Sequence, residues 1–78
     1  MRLVKWDYVR WSRIKAVFNT HPASPVVFGK VNQFYIVFRV LWDESDQEVS
    51  REDLLNMELL INEELGSLSE YKNRKSVK

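Results

Sequence analysis

The chain has 78 residues, of which 45% are apolar and 13% aromatic, and it has no cysteine. That length holds one hydrophobic core and that composition excludes intrinsic disorder, while the lack of cysteine excludes a disulfide framework, a thiolate metal site and a cysteine nucleophile. A net charge of +1 conceals three blocks: seven basic side chains against Asp7 in residues 1–42, ten acidic ones against Arg51 in residues 43–70, and then Lys72, Arg74, Lys75 and Lys78.

Residues 1–19 read as an amphipathic helix. At about 100° per residue, Leu3, Trp6, Trp11, Ile14, Val17 and Phe18 share one broad face and Lys5, Ser12, Arg13 and Ala16 lie opposite. Asp7 and Arg10 fall inside the apolar arc, three residues apart, at a spacing suited to a partly buried ion pair. The alternative is a short strand over residues 2–6, with Asp7 capping a helix that begins at Tyr8.

Thr20 to Pro25 carries both prolines of the chain and reads as a connecting loop. Val26 to Phe28 and Phe34 to Trp42 then form the arms of a hairpin, with Gly29-Lys30 as the tight turn. On the second arm Phe34, Ile36, Phe38, Val40 and Trp42 make an unbroken apolar face and are expected in the core. The mixed face of Tyr35, Val37, Arg39 and Leu41 is expected to be half covered.

Asp43 to Glu48 is an acidic break. Ser50 followed by Asp53 is a variant of the capping box, so a helix is expected from about Arg51. Leu54, Met57, Ile61, Leu65 and Leu68 share its main apolar face, Leu55 and Leu59 form a second, narrower stripe, and Gly66 with the box Ser67-x-x-Glu70 predicts a break before a last turn. Residues 73–78 are polar and basic and read as a frayed tail behind a single domain over residues 1–72. These elements predict an α+β fold: an antiparallel hairpin or small three-stranded sheet packed against two helices. The order is α-β-β-α, or β-α-β-β-α if residues 2–6 form a strand.

No catalytic residue is expected. His21, the only histidine, lacks a neighbouring Ser or Asp motif and reads as a surface loop residue. No metal or cofactor is expected either. A calcium loop starting at Asp43 would place Glu48 where glycine is required and Leu54 where glutamate is required, and two glycines build no phosphate cradle. No apolar run approaches the roughly 20 residues of a membrane span, and Met1 is followed by a mixed polar sequence unlike a signal peptide, so a cytoplasmic location is expected.

Two binding surfaces follow. An acidic, leucine-striped helix with Glu52, Leu55, Glu58, Leu59 and Glu63 suits a protein partner, including a second copy of the chain. On this reading the chain is a small non-enzymatic binding module, an inhibitor, adaptor or regulator of a size that also fits a phage or other mobile element. The alternative is a nucleic-acid-binding protein using Lys5, Arg10, Arg13 and Lys15 of a basic N-terminal helix.

Overall fold

From Arg13 onward, Ile14, Ala16 and Phe18 alternate with Arg13, Lys15 and Val17, a period of two that suits a strand buried on one face. In the computed structural model, which describes residues 1–74, this alternation prevails over the helical spacing of residues 1–19. The expected N-terminal helix is instead two strands, β1 (Leu3–Arg10) and β2 (Arg13–Phe18), followed by β3 (His21–Val31) and β4 (Phe34–Val40). The four pair in chain order as an antiparallel meander, and α1 (Arg51–Leu65) and α2 (Leu68–Asn73) complete a β-β-β-β-α-α order. The class is α+β, but neither the three-stranded sheet nor either expected order of elements is correct.

Three further expectations are corrected with it. Pro22 and Pro25 belong to β3, where they are tolerated because the ladder to β2 passes from His21 to Val26 and the ladder to β4 begins at Val26, leaving residues 22–25 outside both. The β3–β4 turn is not Gly29-Lys30 but Asn32-Gln33, with Asn32 at φ 56°, a left-handed conformation that asparagine tolerates better than most residues. The inward face of β4 is the one formed by Tyr35 and Val37. A register shift beside Phe28 makes Phe38 an extra residue in β4, so the alternation breaks there and Val40 rejoins the inward side opposite Val26.

The core lies between one face of the sheet and α1. Ile14, Ala16, Phe18, Val26, Phe28, Met57 and Ile61 are fully buried, and Tyr35 and Tyr71 nearly so. Helix α1 begins as the sequence predicts. Ser50 accepts the Asp53 N–H and Asp53 accepts the Ser50 N–H, and this donation from the Ser50 backbone holds the Asp53 carboxyl below its ordinary range. Gly66 ends it in a left-handed conformation at φ 78°, with its N–H and that of Ser67 returning to the last carbonyls. Ser67 makes no side-chain cap for α2; its hydroxyl bonds Asn62 instead. Of residues 73–78, expected as a frayed tail, Asn73 ends α2 and Arg74 caps it, while residues 75–78 lie outside the described residues.

Two side chains of α1 meet the backbone of β4, which has a neighbouring strand on one side only. Asn62, fully buried, accepts the Tyr35 N–H at 2.9 Å and donates to the Tyr35 carbonyl at 2.8 Å. Glu58 accepts the Val37 N–H at 2.8 Å and the Tyr71 hydroxyl at 2.5 Å. Burial and this carboxylate push the Tyr71 phenol well above its ordinary value, so it remains a donor. Asn62→Leu would orphan both Tyr35 backbone groups, and each buried unpaired polar group costs about 1–3 kcal/mol. The variant should lose about 2–6 kcal/mol in urea denaturation, a large share of the stability of so small a domain.

His21 lies at the start of β3, not in a surface loop, and is completely buried. Its Nε2 faces the Glu48 carbonyl at 3.2 Å, which only accepts, so Nε2 donates there, and Nδ1 shares a hydrogen bond with the Thr20 hydroxyl at 2.9 Å. The acidic segment is similarly folded onto β3. Asp46 accepts from Ala23 N–H and the Ser24 hydroxyl, and Ser24 Oγ accepts from Asp43 N–H. These bonds give Asp46 a structural task, and among the described residues no three His, Asp or Glu side chains are grouped to hold a metal ion. Nor is any helix among them long and apolar enough to cross a membrane.

Candidate nucleic-acid interface

Because both helices pack on one side, the other face of the sheet is open, and the register shows which side chains share it. Lys15 pairs with Asp7 on β1 and Val27 on β3, and Val27 pairs with Arg39 on β4, so these four form one row across the sheet. A second row runs from Arg10 through Arg13 and Gly29 to Ile36, and Lys5 pairs with Val17 beside the first. With strands about 4.8 Å apart, Lys15 and Arg39 are separated by roughly 10 Å. The face thus gathers Lys5, Arg10, Arg13, Lys15 and Arg39 around one carboxylate, Asp7. A shallow concavity of about 390 Å³ brings Arg10, Arg13, Lys15 and Arg39 together with Val9, Val27 and Phe38.

All four basic residues expected to contact nucleic acid therefore meet on one surface, though on strands β1 and β2 and not on a helix. The expected buried pairing of Asp7 with Arg10 does not occur. Both residues are exposed, and Asp7 accepts the N–H of Tyr8.

Phe38, expected in the core, is 57% exposed on this face, because the extra residue in β4 turns it outward beside Arg39. The Arg13 guanidinium lies 3.8 Å from its ring centroid. Gly29 leaves room for it, since a Cβ there would stand 2.9 Å from Arg13 Nη1 and the guanidinium would have to shift. Trp11, also expected in the core, is 97% exposed at the β1–β2 turn. Trp6 does face the helices, and its Nε1 is 3.4 Å from Glu64.

The residues expected to meet a protein lie on the opposite side of the molecule and divide into two groups. Glu52 and Glu63 are exposed, and Leu55 and Leu59 are 41% and 36% exposed beside Tyr71, Lys72 and Arg74 in a small groove. Glu58 is engaged with Val37 and Tyr71 and is only half exposed. Sequence reasoning missed Phe38, Arg39 and the space at Gly29 as parts of the basic face. The alternation of Arg13, Lys15 and Val17 was the signal that could have found that face.

The fold and its surface define a small α+β domain with a helix-covered side and an open basic sheet. The chain belongs to the family described as Uncharacterised protein YuzH, whose model matches residues 2–76. No curated protein and no solved structure matches it.

The outward position of Phe38 has a measurable consequence. Phe38→Ser should cost about 1 kcal/mol or less, chiefly the loss of its contact with Arg13, whereas Phe28→Ala should cost about 3–5 kcal/mol. Chemical denaturation of the two variants distinguishes the outward face from the core.

Proposed function

We propose that the chain binds nucleic acid on the open face of its sheet. The observation that carries this reading is the convergence of Lys5, Arg10, Arg13, Lys15 and Arg39 on one surface with a single carboxylate among them. Cations from three strands present a field that a polyanionic backbone neutralises, and a sheet packed against helices holds them at fixed spacing. The near-neutral total charge does not oppose it, because the acidic side chains Glu52, Glu63 and Glu64 belong to α1 on the far side.

Binding to labelled oligonucleotides, followed by anisotropy, should weaken with salt at a log–log slope of about −3 to −5 if all five cations engage phosphates. Lys15→Glu with Arg39→Glu should weaken it at least about ten-fold while the thermal midpoint is kept, since both residues are exposed. Absence of binding at low salt would refute the proposal.

The division of charge favours a second reading, in which the protein partner is another copy. The acidic, leucine-bearing side of α1, with Glu52, Leu55, Leu59 and Glu63, is complementary to the basic sheet of a neighbour. A contact between two different surfaces forms rings or open chains and not an isologous dimer. Light scattering at low salt should then show mass rising with concentration, with the rise abolished by salt or by Leu55→Glu with Leu59→Glu. A constant monomer mass would exclude it.

A further inference from the structure

We infer that the nucleic acid bound on the open sheet is single-stranded, with Trp11 as a base-stacking residue; this rests on the reading of that face given above. Trp11 is the most exposed large apolar side chain among the described residues at 97%, and its place at the β1–β2 turn gives it no role in packing. It lies between Arg10 and Arg13, which pair across β1 and β2 at the same end of the sheet. An indole held out in solvent from a hairpin tip, flanked by the paired arginines of β1 and β2, is open to meet a planar partner.

Phe38 gives a second platform further into the sheet. It is raised from the surface by the extra residue in β4, and Arg13 lies across Gly29 against its ring. The Arg13 guanidinium over this ring offers a plane of its own as well as a charge. Arg13 thus belongs both to the hairpin end that carries Trp11 and to the stack on Phe38, and a chain crossing the face would pass from one ring to the other.

The form of the ligand follows from what these rings can meet. A duplex presents phosphates and groove edges but keeps its base faces stacked inside, whereas a single strand exposes those faces to aromatic rings. The cations suit either form. Exposed rings placed among them match the second, whose base faces are already free.

The test compares a single-stranded oligonucleotide, the same sequence as a duplex, and vesicles containing an anionic lipid, reading both anisotropy and tryptophan emission. The single strand should bind at least about ten-fold more tightly than the duplex and quench emission. Trp11→Ala should remove most of the quenching and weaken single-strand binding about five-fold or more, leaving duplex binding within about two-fold. Equal or tighter duplex binding, or unaltered single-strand affinity in Trp11→Ala, would overturn the inference while a response to Lys15→Glu with Arg39→Glu still upheld nucleic-acid binding. A Trp11-dependent response to vesicles without one to oligonucleotides would overturn both in favour of a membrane surface. Failure of every nucleic acid to bind at low salt would remove the underlying reading itself.

Discussion

Edge strands of a sheet leave backbone donors and acceptors unpaired, and the contact of α1 with β4 answers that requirement with side chains. Asn62 takes both backbone groups of Tyr35, and Glu58 takes the N–H of Val37, so two residues one helical turn apart stand in for part of a missing fifth strand. Asn62 also donates to the Glu58 carbonyl and accepts from Ser67, which ties the edge to the end of α1 as well as to its middle. Once α1 is fixed to this edge, its Met57 and Ile61 fall over Ile14 and Phe28, and the inner face of the sheet is determined. The open face is what remains.

This arrangement gives the uneven charge of the sequence a spatial meaning. The basic block of residues 1–42 is almost coextensive with the four strands, and its outward positions carry Lys5, Arg10, Arg13, Lys15 and Arg39. The acidic block supplies the connection to α1 and α1 itself, and several of its members act within the fold. Asp46 anchors the connection to β3, Asp53 closes the helix cap and Glu58 binds the β4 edge. The carboxylates left in solvent are therefore fewer than their number in the sequence suggests. A small net charge is compatible here with two strongly different surfaces.

The C-terminal half was legible because its signals are local. Ser50 with Asp53, the spacing of Met57 and Ile61, and Gly66 each act within a few residues, and the helix begins and ends where they place it. In the N-terminal half two periods competed over the same residues. Trp6, Trp11, Ile14 and Phe18 fit a helical face, but Trp11 is at a hairpin tip and the inward set is Trp6, Ile14, Ala16 and Phe18. The Trp11-Ser12 turn lacks the glycine or asparagine that marks many tight hairpins, so nothing local announced a reversal. The assignment of faces on β4 failed for a different reason. A residue inserted by a bulge is visible only against the partner strand, and no pattern within Phe34 to Trp42 reveals it. For the same reason Lys5, Arg10, Arg13 and Lys15 were grouped on a helix, while the sheet surface joining them to Arg39 and Phe38 was not seen.

The two edges of the sheet are protected by unlike means, and this restricts how copies of the chain can meet. On β4 the backbone is occupied by Asn62 and Glu58. On β1 the guard is irregularity and charge: its pairing shifts register twice, between Leu3 and Lys5 and between Tyr8 and Arg10, and it carries Lys5, Asp7 and Arg10. Asp7 also occupies the N–H of Tyr8, one of the donors an added strand would use. Charged and kinked edges resist the strand-to-strand joining from which fibrils grow. An exposed aromatic such as Trp11 can thus be carried on a small sheet without inviting aggregation through its backbone, and contacts with other molecules are directed to the faces.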